Sequence, residues 1–174
     1  MTQDAGRFSI GFYFKSLAKA LATPVTFFQE LPEDSGFRQS AGFLIVSSAF
    51  FAFASLTTRD FEAPWISSGV FFLNAVGMTL IAAGLGYITM VMFWGRKVTF
   101  RRFFSVYAFA SGVTLLASWI PLFVFMTEPW KWLMIGIGLT KTCGLKWLQS
   151  VLVIVLSIGM IVLFFWSLLP LVSY

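Results

Sequence analysis

Four cations lie within seven positions of the stretch FWGRKVTFRRFF, residues 93–104. They are Arg96, Lys97, Arg101 and Arg102, and uncharged sequence extends for more than twenty residues on either side. Arginine and lysine side chains bind phosphate and carboxylate groups. The cluster therefore indicates a surface for anionic lipid head groups or for an acidic partner. The alternative is that these cations only set the orientation of the chain in a membrane.

Two further cations, Lys15 and Lys19, accompany an apolar pattern near the amino terminus. The apolar residues at helical spacing are Phe14, Leu17, Leu21, Val25 and Phe28. An apolar stripe with basic flanks is typical of a helix that lies in the membrane interface. A cytosolic helix that covers the inner face of a helical bundle is the alternative.

Asn74 and Gln149 are the polar residues that stand out within otherwise apolar stretches. Together with nearby serines and threonines they are candidates for a polar seam inside a bundle. Such residues more often form a hydrogen bond between two helices than bind a ligand.

The sequence offers few residues for catalysis or metal binding. It contains no histidine, which is the usual general base near neutral pH and the commonest metal ligand. It contains one cysteine, Cys143, and all seven acids fall in predicted loops or near the chain ends. We therefore expect no enzyme activity, no metal and no cofactor, and ion-coupled transport is disfavoured because such transporters need ionisable residues inside a span.

The composition is typical of a membrane protein. Of the 174 residues, 59% are hydrophobic and 11% are charged, against about a quarter charged in soluble domains. The 22 phenylalanines and 7 tryptophans indicate rings that face lipid. The net charge of +5 does not indicate nucleic-acid binding, because the cations are spread over short loops between apolar runs.

Four uncharged stretches are long enough to cross a membrane as helices, which takes about 20 residues. They cover residues 39–58, 66–94, 103–127 and 147–170. A fifth, apolar from Trp132 to Thr140, is short for a span, and a re-entrant hairpin is the alternative there. The sequence thus predicts an all-α transmembrane bundle of about five spans (residues 39–174) after a cytoplasmic amphipathic segment (residues 1–38).

The distribution of cations predicts the orientation. With five spans and a cytoplasmic amino terminus, ten of the twelve cations face the cytoplasm and two, Arg59 and Lys131, face the opposite side. This asymmetry follows the positive-inside rule. If the short segment does not cross, Lys141 and Lys146 change sides and the asymmetry weakens to eight against four.

Small residues at four-residue spacing predict close helix packing. Examples are Ala82 with Gly86 and Ala108 with Gly112, and Gly136 and Gly138 in the stretch GIGLTK have the same interpretation. Such faces also serve contacts with a second copy or another protein.

Three stretches together carry a family resemblance. They are LATPVTFFQELPEDSGFRQSAGFLIV, GRKVTFRRFFSVYAFASGVTLLASWIPL and WKWLMIGIGLTKTCGLKWLQSVLVIV. Their order and spacing resemble the Yip1-domain membrane proteins in their short prokaryotic form, from about residue 17 to the end. The resemblance implies a five-span bundle with a cytoplasmic amino terminus, and for prokaryotic members a place in the cytoplasmic membrane. It implies no catalytic residues, and we expect no counterpart here to the long cytosolic region that eukaryotic relatives carry before the bundle.

Two hypotheses for the function follow. The first is a non-enzymatic membrane scaffold or adaptor, which organises lipid or anchors a protein partner or a second copy through its basic cytoplasmic face. The second is a passive conduit or carrier for a small or lipidic molecule, with Asn74 and the serine and threonine positions lining a polar seam. A cavity on which these side chains converge favours the second.

Overall fold

The computed structural model describes residues 8–31, 37–58 and 61–172, and within these ranges the regular elements are all α-helices. In chain order they are α1 (Ile10–Ala22), α2 (Pro24–Gln29), α3 (Phe37–Ser55), α4 (Pro64–Trp94), α5 (Phe100–Ser118), α6 (Val124–Cys143) and α7 (Trp147–Val172). The prediction of an all-helical fold is confirmed for the described part of the chain.

Local signals set several helix ends. Ser9 caps α1 by accepting a hydrogen bond from the N–H of Phe12 at 3.1 Å, and Thr99 caps α5 in the same way. Gly95 and Gly144 follow α4 and α6 with φ of 74° and 67°, a region that glycine enters at little cost. The chain therefore leaves α4 and α6 abruptly, and short loops lead into α5 and α7.

The five longer helices, α3 to α7, alternate in direction. Ser105 near the start of α5 donates to Ser40 near the start of α3 at 3.0 Å, so α3 and α5 run parallel. The hydroxyls of Ser118 at the end of α5 and Thr127 in the first turn of α6 lie 3.0 Å apart, so α6 runs back. Among the described helices, α3 and α4 are long and apolar enough to cross a membrane, and 147–163 in α7 is a shorter apolar stretch. The number of spans and their orientation stay predictions.

Two of the predicted boundaries are wrong. The stretch 103–127 is not one helix, because α5 ends at Ser118 and residues 119–123 form a turn that contains Pro121. Proline lacks the N–H that a continuing helix needs and disfavours helical backbone in the residue before it. Residues 124–127 belong instead to α6, which is a continuous helix of 20 residues rather than a hairpin. Its length is about 30 Å, the thickness of the hydrocarbon core.

Helix α5 lies at the centre of the bundle. Every residue from 103 to 114 is buried, and the helix packs against α1, α3, α4 and α6. The small side chains of Ala108, Ala110 and Gly112 let neighbouring helices approach closely. Because α5 contacts protein on all sides, its sequence is less apolar than that of the helices at the outside.

Some phenylalanines lie in the core of the bundle and others lie on its surface. Among the phenylalanines whose side chains the structure describes, the fully buried ones are Phe28, Phe43, Phe103, Phe104 and Phe109. The rings of Phe43 and Phe109 are 5.1 Å apart and tilted, an arrangement that aromatic pairs favour. The prediction of outward-facing rings holds for others, such as Phe53 and Phe93. Composition could not separate the two groups, since burial depends on which helix faces each ring.

Helices α1 and α2 pack against the side of the bundle. The centre of the Tyr13 ring lies 4.8 Å from that of the tilted Phe43 ring, and the Tyr13 hydroxyl lies 3.0 Å from that of Ser47. Ser47 is ten residues into α3, about 15 Å from its start. In α2, the carbonyl of Phe28 accepts a hydrogen bond from Thr142 of α6 at 3.0 Å. The first two helices therefore share one core with the long helices.

The outward side of α1 keeps part of the predicted apolar stripe. Phe14, Leu21 and Val25 are exposed, whereas Phe28 is fully buried. The stripe divides because the chain turns at Thr23 between α1 and α2. An exposed apolar face beside a packed one fits a helix that contacts both lipid and the bundle.

Candidate functional site

One end of the bundle collects most of the described cations. Helices α3, α5 and α7 begin there, and α4 and α6 end there. The cations at this end are Arg38, Arg96, Lys97, Arg101, Arg102, Lys141 and Lys146, and all but the half-buried Arg102 are exposed. We call this surface the basic end. Arg7 and Arg59 of the predicted charge count lie outside the described residues.

Helix dipoles add to the charge of the basic end. The first turn of a helix carries a partial positive charge, so acidic side chains usually stabilise it. Arg101 and Arg102 lie instead in the first turn of α5, Arg38 lies in that of α3, and Lys146 immediately precedes α7. Three positive helix ends and the cations thus reinforce one another. A surface of this kind attracts anions.

The cations predicted in α1 differ from each other in the structure. Lys15 is exposed, whereas Lys19 forms a salt bridge with Glu30 just after α2. This bridge links the end of α1 to the end of α2, so Lys19 contributes to the hairpin of the two helices. Lys15 remains an exposed basic residue on α1.

A cavity of about 410 Å³ lies among α3, α4, α5, α6 and α7. Its walls are mainly aliphatic and aromatic, and its polar lining residues are Asn74, Thr79, Tyr107, Ser111, Thr114, Ser118, Glu128 and Lys131. The volume is within the range of ligand sites, about 300–1,000 Å³. Asn74 is thus one of the residues that line this cavity.

Gln149 does not line this cavity. It lies in the first turn of α7, where its side-chain oxygen accepts a hydrogen bond from the N–H of Lys146 at 2.9 Å. This contact resembles one half of a capping box. The structure thus brings Asn74 together with serines and threonines but not with Gln149.

Most hydroxyl groups of the cavity already donate to the backbone of their own helix. Thr79 donates to the carbonyl of Ala75 at 2.9 Å, and Ser118 donates to that of Thr114 at 2.8 Å. Thr114 likewise donates within α5. Their oxygens can still accept hydrogen bonds, but their protons are not free for a ligand.

Two polar lining residues differ in how far they are buried. The Tyr107 side chain is almost fully buried, and its hydroxyl has almost no accessible surface and lies beside Ser157. Asn74 lines the cavity but is exposed. The Tyr107 hydroxyl is therefore not open to the cavity, and Asn74 is open to the surroundings of the bundle.

The two ends of the cavity differ. At one end Glu128 and Lys131 of α6 form an ion pair at 2.5 Å, and Lys131 lies 5.2 Å from the ring centre of Trp132. At the other end the Tyr107 hydroxyl packs so closely against α4 that a Cβ on Gly86 would lie 2.6 Å from it. The cavity is therefore closed toward the middle of the bundle.

Sequence reasoning missed Tyr107, Glu128, Lys131 and Trp132 as parts of a site. The spacing of Glu128 and Lys131 is that of an ion pair on a helix surface, which was a usable signal. Nothing in the sequence indicated the position of Tyr107. Within the described residues no group of three or more potential metal ligands occurs.

Comparison with known proteins gives one finding. The family model of the Yip1 domain matches residues 18–169, which is most of the chain. No curated protein and no solved structure matches. With the helical bundle and its apolar outer helices, the match establishes a membrane protein. The chain belongs to the Yip1 domain family.

Proposed function

We propose that this protein is a non-enzymatic membrane scaffold or adaptor, located in a bacterial cytoplasmic membrane, whose basic end binds anionic lipid head groups or an acidic protein partner. The observation that supports the proposal is that seven cations lie at the end of the bundle where three helices start, four of them in or next to a first turn. Cations placed at a helix start oppose the dipole by about 0.3–1 kcal/mol each unless an anion is near. An anionic partner would remove that penalty.

Neutralising the exposed cations tests the lipid part of this proposal. We expect the triple variant Arg96→Gln, Lys97→Gln and Arg101→Gln to bind dioctanoylphosphatidylglycerol roughly 100-fold more weakly, since each cation near an anionic surface contributes about 1 kcal/mol. Native mass spectrometry of the purified protein measures the binding. Arg102 is left unchanged because it is half-buried and makes contacts of its own.

Lys131→Gln is the control, since Lys131 lies at the opposite end of the bundle. It should leave this binding unchanged. The binding of dioctanoylphosphatidylcholine should be the same for wild type, the triple variant and the control. Equal binding of the anionic lipid by wild type and triple variant would contradict the lipid part. In that case, labelling of cysteines placed in the loops would measure the orientation of the variant in the membrane. Mixed orientations would show that the cations only set the topology of the chain.

A protein partner has a separate test. Gentle solubilisation from the native membrane, followed by mass spectrometry, should identify a stoichiometric partner with an acidic surface. This partner should no longer co-purify with the triple variant.

The cavity supports a second candidate function, the binding or carriage of a small or lipidic molecule. A mostly apolar cavity with a few convergent polar groups is the usual form of a ligand site. The closed end at Tyr107 and Gly86 favours a binding site over an open conduit. This function does not depend on the basic end, so the two candidates are separable by experiment.

A further inference from the structure

We infer that the cavity holds one acyl chain of a phospholipid whose zwitterionic head group carries a primary ammonium, as in phosphatidylethanolamine. The ammonium lies on Glu128 and the phosphate on Lys131. This ligand class rests on the second candidate function, the binding of a lipidic molecule. It follows from the way the cavity opens, from its depth and from the charged pair at one of its ends.

The cavity opens sideways toward the lipid. Three of the residues that line it are themselves exposed, Asn74 on α4, Val124 on α6 and Val162 on α7. The walls also include the half-buried side chains of Met78 and Ile158. An alkyl chain can therefore enter from the lipid phase and pack against apolar side chains without passing through water.

The depth of the cavity matches one leaflet of a bilayer. Its lining extends from Val124 to Ile135 along α6 and from Ser118 to Tyr107 along α5, eleven residues or about 16 Å in each helix. This is about half of the 30 Å hydrocarbon core. Because the inner end is closed at Tyr107, a chain that enters from one leaflet ends inside the protein.

The end of the cavity at Glu128 and Lys131, which we call the mouth, lies at the level of the lipid head groups. Both residues are within the first eight of α6, and Trp130 and Trp132 lie beside them. Tryptophan prefers the membrane interface. A helical side chain points toward the start of its helix. The Lys131 ammonium is therefore nearer the interface than its Cα.

The charges at the mouth favour a zwitterionic head group. Among the described lining residues, only Glu128 and Lys131 are charged, and they form an ion pair. Their charges cancel, so a head group with a net negative charge meets no excess positive charge there. A head group with both signs can place its phosphate beside Lys131 and its ammonium beside Glu128. Each of the four charges then has an opposite neighbour.

Both members of the pair can make a further contact. Lys131 donates one of its three ammonium protons to Oε1 of Glu128, and Oε2 of Glu128 accepts no hydrogen bond from a described residue. The side chain of Glu128 is 47% exposed and that of Lys131 is 22% exposed, so a head group can reach both. A primary ammonium donates to the carboxylate, whereas the trimethylated nitrogen of choline has no proton to donate. Phosphatidylethanolamine is therefore favoured over phosphatidylcholine.

Native mass spectrometry of the full chain with dioctanoylphosphatidylethanolamine tests the head group. Glu128→Gln should weaken its binding roughly tenfold, because a hydrogen bond to a charged group is lost. The same change leaves Lys131 unpaired, so dioctanoylphosphatidylglycerol should bind at the mouth roughly fivefold more tightly. This gain is measured in the background of the triple variant, which lacks the cations of the basic end. A misfolded protein would not lose one lipid and gain the other.

Two further variants complete the test. Lys131→Gln should also weaken the binding of phosphatidylethanolamine roughly tenfold, and its unchanged binding of phosphatidylglycerol at the basic end shows that it is folded. Glu30→Gln is the matched control, because it breaks the salt bridge between Glu30 and Lys19, which do not line the cavity. It should leave the binding of phosphatidylethanolamine unchanged.

Photolabelling locates the acyl chain. The probe is phosphatidylethanolamine with a diazirine in one acyl chain, in phosphatidylcholine nanodiscs, and mass spectrometry maps the labelled residues. Labels at Met78 and Ile158, which line the cavity, should exceed those at Leu80 and Ile88, which are exposed on the outside of α4. Glu128→Gln should reduce the labels in the cavity.

The outcomes separate the ligand class from the function on which it rests. Labels in the cavity, together with equal binding of phosphatidylethanolamine by wild type and Glu128→Gln, would overturn the ethanolamine head group and leave a site for another lipidic molecule. Labels at Leu80 and Ile88 as strong as those in the cavity would overturn both.

Discussion

Replacing Gly138 with alanine is expected to destabilise the protein by about 2 kcal/mol, although alanine is the better helix former by about 1 kcal/mol. Gly138 lies on α6 where α2, α5 and α6 meet. A Cβ there would overlap Cγ1 of Val106, which is fully buried, and would lie 3.2 Å from the ring of Phe28. Interiors are close-packed, so the strain must be taken up by shifts of whole helices.

The measurement is the free energy of unfolding from reversible denaturation in mixed micelles, followed by circular dichroism. Gly84→Ala is the matched control, since a Cβ on Gly84 of α4 meets nothing within 4 Å. We expect this control to be neutral or slightly stabilising. Adding Val106→Ala to the Gly138 variant should recover part of the loss, because it removes the overlapping methyl group. A Gly138 variant as stable as the Gly84 control would show that α5 and α6 do not pack as described.

Truncating Tyr13 to alanine is expected to release α1 from the bundle, with a loss of about 3 kcal/mol in docking free energy. Tyr13 is 6% exposed, packs its ring against that of Phe43 and hydrogen-bonds to Ser47 halfway along α3. The measurement is the rate at which maleimide labels a cysteine introduced by Ser16→Cys, in a Cys143→Ala background. Ser16 is buried beside Tyr13, so the rate should rise roughly 100-fold.

Phe14→Ala is the control for this experiment, because Phe14 follows Tyr13 but is 61% exposed on the outward face of α1. It should change the labelling rate little. Tyr13→Phe keeps the ring and loses the bond to Ser47, about 0.6 kcal/mol, so it should raise the rate only about threefold. If the Tyr13→Ala protein is labelled at the wild-type rate, α1 is held by other contacts.

Prediction from the sequence succeeded where a property follows from residues in a row. Long uncharged stretches predicted α3 and α4 to within a few residues of their observed ends. Gly136 and Gly138 were predicted as packing positions, and the structure confirms this, since Gly136 lies against Trp147. Each of these predictions needs only local composition and spacing.

Prediction failed between α5 and α6 for an identifiable reason. No charged residue lies between Arg102 and Glu128, so hydropathy shows one long apolar stretch where the chain makes a turn. Pro121 lies in the turn that follows α5. Whether a proline bends or ends a helix in a bundle depends on neighbouring helices that can satisfy the freed backbone groups.

The sequence alone determined the class of the protein, its helical bundle and its family. These follow from the length of the uncharged stretches and from the order of loosely spaced motifs, and both can be read directly along the chain. It also indicated the basic residues and Asn74. Only the tertiary structure showed that the cations meet the starts of α3, α5 and α7 at one end. Only the structure showed that Asn74 and Tyr107 line one cavity. Which residues line a cavity depends on helices that lie far apart in the chain, and the spacing of residues within one helix does not show it.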